Sequence, residues 1–473
     1  MSLKSKIDAI FAPWDTRQSP GMAIAVKYNG EIIHKRGYGM ADLDHDIEIS
    51  TDTVFHVASV AKQFTAMCIV LLSQQLDTNG NPLIMLDDKL GKYIPDKLPE
   101  KFQSITIRQM LHHTSGIRDM LRLTTLAGWR WGDDVITRTD VLGLVRRMDT
   151  TEFDPPGSAF SYSNTNYLLA GEIVHKVSKM PLSKFARTNI FEPLGMKSTQ
   201  IVDTYGEIVK NRAYGYRGSS PPFEKRMPNY NLSGPTNLLT TVEDLLRWDK
   251  NFDSKKVGRE EGISELLTLD DSNSGYGLGL YIVTDAQGKP GEIYHNGKTM
   301  GHRAKLYRSN DPEDRLTIAL LCNIELRRRA DGEDVDELVD RVADAVLGSG
   351  LPRGPEPVRA PTVPSVPLPS KPTDYIGRYR SDEIDTEYEV LLVGNTLNIV
   401  RYKRDPAPLS PIEGGKEGDK FRIKPFADSI LETIEITFER DDNDNVTRFF
   451  VDDATGRDLL RKFPFRKLPK RDP

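Results

Sequence analysis

The pattern of apolar and polar positions near the start of the chain predicts a β-hairpin. Two apolar-rich stretches, Met22–Lys27 and Glu31–Gly37, are joined through Asn29-Gly30. An Asn-Gly pair between such stretches favours a tight two-residue turn. Strand patterns return much later, in Tyr276–Val283, in Gly291–His295 and in the stretch RLTIALLCN. One sheet is therefore expected to assemble from segments that lie far apart in the sequence.

A helical region is predicted between these two groups of strands. Helical patterns occur in the segment that begins at Ser59, in ITIRQMLHH, in Asn166–Lys179 and in Leu238–Phe252, where Thr241 is the expected N-cap. The acid-rich stretch DGEDVDELVDRVADAVLG predicts one more helix, which ends at Gly348. Strands on both sides of a helical middle indicate an α/β (α+β) fold, with a mixed sheet beside a helical region.

A proline-rich segment divides the chain into two domains. Eight prolines lie between Pro352 and Pro372, and this density predicts a semi-rigid linker over residues 349–372, after a first domain over 1–348. Beyond the linker the pattern changes to short alternating strands separated by turn residues, as in DTEYEVLLV and LETIEITFER. These strands predict an all-β domain, a barrel or sandwich, over residues 373–473.

One lysine interrupts an otherwise apolar helix and is the first candidate for chemistry. Lys62 is followed by the run FTAMCIVLL, and Ser59 precedes it by three residues, in the only Ser-x-x-Lys of the chain. Burial of an ammonium is costly unless it is paired or shifted toward neutrality. Lys62 could reach a nearby surface while Ser59 caps the helix. Alternatively, the two side chains share a helix face as a nucleophile and its base.

Two further segments carry polar side chains that suit a catalytic site. Tyr162 and Asn164 lie in the Gly/Pro/Ser-rich loop PPGSAFSYSNTN, and such loops often display functional groups. His295 and Gly297 follow a strand pattern, and a glycine near a strand end lets a ligand approach the backbone closely. Taken alone, the first segment is equally compatible with an ordinary loop tyrosine, and the second favours a histidine in an ordinary turn. The catalytic interpretation is favoured because both segments occur together with Ser59 and Lys62.

Together the three segments resemble the motifs of the penicillin-recognising serine hydrolases: Ser-x-x-Lys, Tyr-x-Asn and His-x-Gly, in that order. The sequences around these motifs are similar to those of class C β-lactamases and their esterase and peptidase relatives, as in ITIRQMLHHTSGI, FSYSNTNYLLAGEI and YGLGLYI. The resemblance covers roughly residues 5–348. It implies a five-stranded antiparallel sheet flanked by helices, beside an all-helical region, with the active site between the two.

The resemblance implies that Ser59 attacks an amide or ester carbonyl and forms an acyl-enzyme that water later hydrolyses. Lys62 and Tyr162 would share the proton transfers, and the sequence leaves open which of them is the base for acylation. A separate glutamate activates the deacylating water in class A β-lactamases. No obvious counterpart occurs here, which favours the tyrosine-based variant.

The remaining motif residues would bind substrate or stabilise charge. Asn164 would hold the substrate amide and orient Lys62, and His295 would stabilise a phenolate or position the substrate. The backbone N–H groups of Ser59 and of Lys298, the residue after Gly297, are the expected oxyanion hole.

A nearer resemblance is to the D-stereospecific aminopeptidases of this superfamily, which share the His-x-Gly motif and carry antiparallel β-barrels after the catalytic domain. The stretch IGRYRSDEIDTEYEVLLV is similar to the start of their final, lipocalin-like barrel. This chain has room for one barrel where the aminopeptidases have two. In those enzymes a barrel loop reaches the active site, so a barrel loop is expected to border the Ser59 cleft here. A class C β-lactamase-like esterase, a DD-carboxypeptidase and an inactive peptidoglycan- or peptide-binding protein remain alternatives.

Other classes of function find less support in the sequence. Gly297-Lys298-Thr299 imitates the end of a phosphate-binding loop, but Gly291 is one residue too distant and no Gly-rich loop enters a helix. A classical α/β-hydrolase would carry Gly-x-Ser-x-Gly, which is absent from the sequence. Loss of Ser59, Lys62 or Tyr162 would mark a binding protein, and all three are present.

Composition sets expectations about partners and location. The net charge of −5, with both signs mixed, gives no reason to expect nucleic acid as a partner. No apolar run approaches the roughly 18 residues that span a bilayer, and the sequence suggests neither a metal nor a cofactor. Cys68 and Cys322 both lie in apolar runs and are expected to be buried thiols, with a disulfide left open. The expected partner is a small peptide, amide or ester substrate, and a homo-oligomer is left open. The N-terminus lacks the apolar core of a secretory signal, which predicts the cytoplasm, or the periplasm if a leader was removed.

Overall fold

A computed structural model describes residues 2–270, 272, 274–285, 287–311, 313–326, 334–348, 368–369, 371–401, 405–412, 419–423, 434–453, 460 and 462–469. The α-helices are α1 (Leu3–Phe11), α2 (Lys62–Ser73), α3 (Ile107–Leu111), α4 (Met120–Leu126), α5 (Arg138–Arg147), α6 (Asn164–Ser178), α7 (Leu182–Ala186), α8 (Glu192–Leu194), α9 (Val242–Ser254), α10 (Arg259–Leu266) and α11 (Val335–Leu347). The strands before residue 348 are β1 (Met22–Tyr28), β2 (Glu31–Tyr38), β3 (Met40–Asp42), β4 (Ile47–Glu48), β5 (Phe55–His56), β6 (Ile136–Thr137), β7 (Gln200–Ile201), β8 (Tyr216–Arg217), β9 (Glu224–Lys225), β10 (Tyr230–Asn231), β11 (Leu238–Thr240), β12 (Tyr281–Thr284), β13 (Pro290–Thr299), β14 (His302–Ser309) and β15 (Leu316–Cys322). The later strands are β16 (Gly377–Ser381), β17 (Thr386–Val393), β18 (Thr396–Arg401), β19 (Ala407–Pro411), β20 (Asp419–Ile423), β21 (Ile434–Arg440), β22 (Val446–Asp453) and β23 (Phe463–Lys467).

The central sheet has the strand order β12-β13-β14-β15-β1-β2, and every neighbouring pair is antiparallel. The predicted hairpin is confirmed as β1 and β2, with Asn29 and Gly30 both at positive φ in the turn. Met22 lies opposite Cys322, so the sheet does join distant segments. The antiparallel sheet that the resemblance implied is confirmed, whereas the mixed sheet expected from the strand pattern is wrong. The sheet has six strands rather than the implied five, because the short β12 pairs along the outer side of β13.

Helices cover both faces of this sheet. On one face, α1 and α11 pack side by side, and Ile7 and Leu338 contribute to an apolar cluster with Ile24 and Ile318 of the sheet. On the other face, α9 lies against β1 and β15. The helix predicted to end at Gly348 is confirmed as α11, and Gly348 is its left-handed C-cap with φ 77°.

Two helix and strand predictions need correction. Leu238–Phe252 is not one helix: Leu238–Thr240 forms β11, which pairs with β5 and β7, and α9 begins at Val242 with Thr241 as the predicted N-cap. Pairing with two strands overrides the helical pattern there. Tyr276–Val283 is a strand only from Tyr281, because Gly279 at φ +81° turns the chain before it.

The all-β prediction for the C-terminal part is confirmed, since β16 to β23 form a closed antiparallel barrel. Aromatic side chains fill its interior, with Tyr379 and Phe449 in ring contact at 4.9 Å between centroids. The barrel also contacts the helical region, where the Tyr388 hydroxyl donates to Leu126 O at 2.6 Å. In the predicted linker, residues 349–367 and 370 lie outside the described residues, so the domain boundaries stay a prediction.

Candidate active site

Ser59 lies in a short 3₁₀ turn, Ala58–Ala61, that leads directly into α2. Ala58 has φ 47°, in the left-handed region that residues with a Cβ rarely adopt. Its N–H donates to Nδ1 of His56 at 3.1 Å, which fixes the turn to β5. Such backbone conformations cluster at functional sites, where the surrounding structure imposes them. The turn therefore presents Ser59 at a fixed position beside the first residue of α2.

Lys62 is completely buried, and its Nζ atom meets three oxygens. Nζ is 3.0 Å from Ser59 Oγ, 2.8 Å from Asn164 Oδ1 and 2.9 Å from the carbonyl oxygen of Pro235. A neutral amine has two N–H donors and one lone pair. When the amine is neutral and donates to Asn164 and Pro235, its lone pair is available to Ser59 Oγ at 3.0 Å, which is the arrangement that a base for this hydroxyl requires.

Burial lowers the pKa of Lys62 to about 7 because the ammonium loses its hydration, while the nearby carboxylate of Asp119 acts in the opposite direction. A lysine with such a pKa is neutral in a large fraction of molecules near physiological pH. The charged side chain that seemed out of place in an apolar helix is thus shifted toward its neutral form.

Asn164 connects Lys62 to Asp119. Its Oδ1 accepts from Lys62, its Nδ2 donates to Asp119 Oδ1 at 3.0 Å, and its backbone N–H donates to the same oxygen at 2.7 Å. Because α6 begins at Asn164 rather than at Asn166, this residue lies in the first turn of the helix. The geometry favours the orienting role for Asn164, since both ends of its amide are already bonded.

Tyr162 packs against the same lysine. Its ring centroid is 4.9 Å from Lys62 Nζ and 4.3 Å from the ring of His113, which lies behind it. The Tyr162 side chain is half-buried, so part of it remains accessible to solvent. The structure therefore brings Ser59, Lys62, Tyr162 and Asn164 together.

His295 lies in the interior of β13, not at a strand end, and it is buried. Its Nδ1 is 2.7 Å from the carbonyl oxygen of Asn296, so Nδ1 carries the proton, and Nε2 accepts from the Tyr276 hydroxyl at 3.1 Å. Burial and the positive charge of Lys62 lower the pKa of His295 to about 3, which keeps the ring neutral. A neutral imidazole bonded on both sides positions Tyr276 and the strand. This geometry does not favour donation from His295 to a developing charge.

Gly297 allows β13 to pass close to the Ser59 turn. A Cβ atom at this position would lie 2.1 Å from the carbonyl oxygen of Val57, so any larger residue would push the strand away. The next residue, Lys298, pairs with Arg303 of β14, and its side chain is exposed. The oxyanion hole from the N–H groups of Ser59 and Lys298 stays a prediction, which this close approach supports.

Sequence reasoning missed three residues of the site: Asp119, His113 and Tyr276. His113 Nδ1 accepts from the backbone N–H of Ser163 and from Asn166, both at 3.1 Å, which holds the tyrosine loop. His113 has φ 61°, and its pKa is lowered by burial. The one local signal for this residue is the His-His pair in ITIRQMLHHTSGI, but its pattern predicts the end of a helix.

Within the described ranges, no group of His, Cys, Asp or Glu side chains could hold a metal ion. Cys68 and Cys322 are both buried and are not bonded to each other. Burial raises the pKa of each thiol above its ordinary value. Neither thiol is therefore suited to act as a nucleophile.

The fold and the arrangement of Ser59, Lys62 and Tyr162 can be compared with known proteins, and this comparison gives the family. The sequence profile described as "Beta-lactamase" matches residues 7–341, which is more than half of the chain. The chain belongs to the β-lactamase family, as the resemblance in its sequence predicted.

Individual relatives add detail. A D-aminopeptidase from Brucella anthropi is 30% identical over 350 residues, which cover 71% of this chain and 64% of that protein. Penicillin-binding protein 4* from Bacillus subtilis is 27% identical over 333 residues, or 66% of this chain and 69% of that one. The structure of an octameric penicillin-binding protein homologue from Pyrococcus abyssi superposes with a TM-score of 0.60 at 21% identity, covering 98% of this chain and 99% of the other. This last similarity extends the shared fold through the barrel.

Proposed function

We propose that this chain is a serine hydrolase that cleaves amide bonds through an acyl-enzyme at Ser59, with the specificity of a D-aminopeptidase. The position of Lys62 Nζ, 3.0 Å from Ser59 Oγ and held by two further acceptors, is the observation that carries the hydrolase proposal. The D-aminopeptidase from Brucella anthropi and the barrel after the family domain support the narrower specificity.

Acylation follows from the geometry. Neutral Lys62 takes the hydroxyl proton of Ser59 as Oγ attacks the substrate carbonyl, and the electron pair of the C=O bond moves to the oxygen. The N–H groups of Ser59 and Lys298 would hold this oxyanion. Lys62, now protonated, or Tyr162 gives a proton to the leaving amine as the C–N bond breaks.

Deacylation uses the same groups in reverse. A water molecule replaces the amine, and neutral Lys62 accepts its proton, directly or through Tyr162, which passes its own hydroxyl proton to Lys62 as it takes the proton of water. The ester bond to Ser59 Oγ then breaks, Oγ recovers the proton from Lys62, and the carboxylic acid leaves. Asp119 and Asn164 hold the lysine in place throughout. No other carboxylate is needed for this scheme, in agreement with the tyrosine-based variant.

A hydrolysis panel tests the specificity. We expect D-alanine p-nitroanilide to be cleaved with kcat/KM at least about 100-fold above the L-isomer, since a misplaced scissile bond costs that much. The alternative hypothesis is a DD-carboxypeptidase or a β-lactamase-like esterase, and the similarity to penicillin-binding protein 4* from Bacillus subtilis supports it. It predicts instead cleavage of D-Ala-D-Ala peptides, short p-nitrophenyl esters or nitrocefin. Preference for the L-isomer or for these substrates would overturn the aminopeptidase assignment.

The proposed partner is a small peptide or amide, with no nucleic acid. Among the described helices, none is long and apolar enough to span a membrane. Self-association stays a proposal, supported by the octameric homologue from Pyrococcus abyssi. Light scattering on the purified chain decides it, because a mass of 53.3 kDa would exclude a stable oligomer.

The lowered pKa of Lys62 predicts the pH dependence of acylation. Protonation removes the base, so kcat/KM should fall about tenfold per pH unit below about pH 7 and level off above it. His295 has a pKa of about 3 and stays neutral over this range. The measurement is kcat/KM for a p-nitroanilide from about pH 5 to about pH 9. If the acidic limb of the kcat/KM profile had its midpoint at about pH 10, the pKa of Lys62 would be that of an unperturbed lysine.

Asp119→Asn provides the matched variant for this profile. The amide oxygen can still accept from Asn164, but the negative charge that raises the pKa of Lys62 is gone. The limb should therefore move to lower pH. If the midpoint of the limb is the same in Asp119→Asn and in the wild type, the limb reports the ionisation of a group other than Lys62.

A further inference from the structure

One turn of the barrel reaches the segment behind the active site. The turn between β16 and β17 carries Glu383, whose two carboxylate oxygens each accept from Arg118 Nη1 at 2.8 Å. Arg118 is 2% exposed and Glu383 is 7% exposed, so the pair is shielded from solvent. Charged pairs of this kind are rarely buried without a function or a structural requirement.

Arg118 has partners from both parts of the chain. Its Nε lies 3.4 Å from Glu152, and its guanidinium lies 5.1 Å from the ring of Phe463 on β23. Arg147 adds a second link, because its Nε donates to the backbone oxygen of Glu383 at 3.3 Å. Without Glu383, the buried guanidinium of Arg118 would keep Glu152 as its remaining carboxylate partner. The side chain of Arg118 would then have to move.

The backbone of Arg118 belongs to the network that holds Lys62. Its carbonyl oxygen accepts from Thr165 Oγ1 at 2.7 Å, and that hydroxyl accepts from the N–H of Met120 at 2.8 Å. Asp119, between these two residues, accepts both bonds from Asn164. Asn164 in turn accepts from Lys62 at 2.8 Å. A shift of the 118–120 segment would therefore displace the amide that orients the catalytic lysine.

We propose that Glu383 is a positioning residue for the reaction: by fixing Arg118, the barrel holds Asp119 and Asn164 where they orient Lys62 toward Ser59. The proposal rests on the hydrolase function proposed above. It gives the barrel a part in the chemical step itself, in addition to any role of barrel loops in substrate selection.

The chain offers a matched control on the same interface. Arg122, four residues after Arg118 and within α4, lies 3.6 Å from Asp453 of β22, and both side chains are buried. This pair also links the barrel to α4, and the backbone N–H of Arg122 donates to the carbonyl oxygen of Asp119 at 3.1 Å, a helix bond that does not involve the side chain. Loss of Asp453 should loosen the docking of the barrel as much as loss of Glu383, but it leaves the Arg118–Glu383 pair in place.

The test compares Glu383→Gln with Asp453→Asn in the full-length chain. The measurements are Tm, kcat and KM for the best p-nitroanilide, the pH profile, and the rate of Ser59 labelling by a fluorophosphonate. We expect similar decreases in Tm, but kcat and labelling rate should fall about tenfold or more only in Glu383→Gln, the scale of a misplaced catalytic group. KM should change little, and Glu383→Asp, which keeps the charge, should recover part of the activity.

Two results would overturn the proposal. One is a folded Glu383→Gln variant with wild-type kcat and labelling rate; the other is an equal loss of kcat in Asp453→Asn, which would indicate general loosening. Failure of the proposed function appears separately, because wild-type enzyme would then give no Ser59 adduct at all. If Glu383→Gln does not fold, Arg118→Lys is tested in the same assays. This variant keeps the positive charge but loses the guanidinium that donates to both carboxylate oxygens of Glu383.

Discussion

Ser59→Ala is expected to abolish covalent labelling and to lower kcat by about 10⁴-fold or more, the scale at which loss of the nucleophile disables a serine hydrolase. The expectation rests on the position of Lys62 Nζ, which lies 3.0 Å from Ser59 Oγ. After exposure to a fluorophosphonate or a slow β-lactam, intact-protein mass spectrometry should show one adduct on wild-type enzyme and none on the variant.

Peptide mapping and a denatured sample complete this test. The adduct should map to the peptide that contains Ser59, and heat-denatured wild-type enzyme should not be labelled, since activation depends on the folded site. Labelling of Ser59→Ala at the wild-type rate would show that another residue is the nucleophile.

Lys62→Ala and Tyr162→Phe are each expected to lower kcat by about a hundredfold or more, the range for a lost acid or base. The double variant should be hardly slower than the worse single variant, because both groups act on one proton path. The close packing of the Tyr162 ring on Lys62, 4.9 Å from Nζ, motivates this coupling. Effects that multiply would show two independent paths.

Tyr167→Phe is the control for the tyrosine. Its ring is also near Lys62, at 5.7 Å, but its hydroxyl donates to the backbone oxygen of Leu111 at 2.8 Å. Loss of this buried bond should lower the free energy of unfolding by about 1 kcal/mol. Because this hydroxyl is outside the proposed proton path, kcat should change less than about threefold, which corresponds to less than about 0.7 kcal/mol in the activation free energy.

Local patterns were sufficient to predict the hairpin, α11 and the barrel strands, because each follows from turn residues, caps and alternation close in sequence. The chemistry of Ser59 and Lys62 was also visible locally, since a lysine in an apolar helix is costly and calls for an explanation. The strand at Leu238–Thr240 was not, because its partners lie at Phe55–His56 and Gln200–Ile201.

The rest of the site depends on contacts between distant segments. Asp119 is 45 residues from Asn164, and Glu383 is 265 residues from Arg118, so one sequence alone cannot pair them. The charge state of His295 was equally hidden, because its neutrality depends on burial and on Lys62. Motif spacing places residues near each other, whereas their protonation is set by what surrounds them.

The closure of the barrel has a consequence for aggregation. Strands β16 to β23 pair on both sides, so along these strands no continuous row of unpaired N–H and C=O groups is offered to another chain. The central sheet does end in two edges, β12 and β2. On β2, Ile32 is 55% exposed, but Glu31, Lys35 and Arg36 place charges along the same strand, and such charges oppose edge-to-edge association. Conditions that screen these charges, such as high salt, are therefore expected to favour misassembly through the central sheet rather than through the barrel.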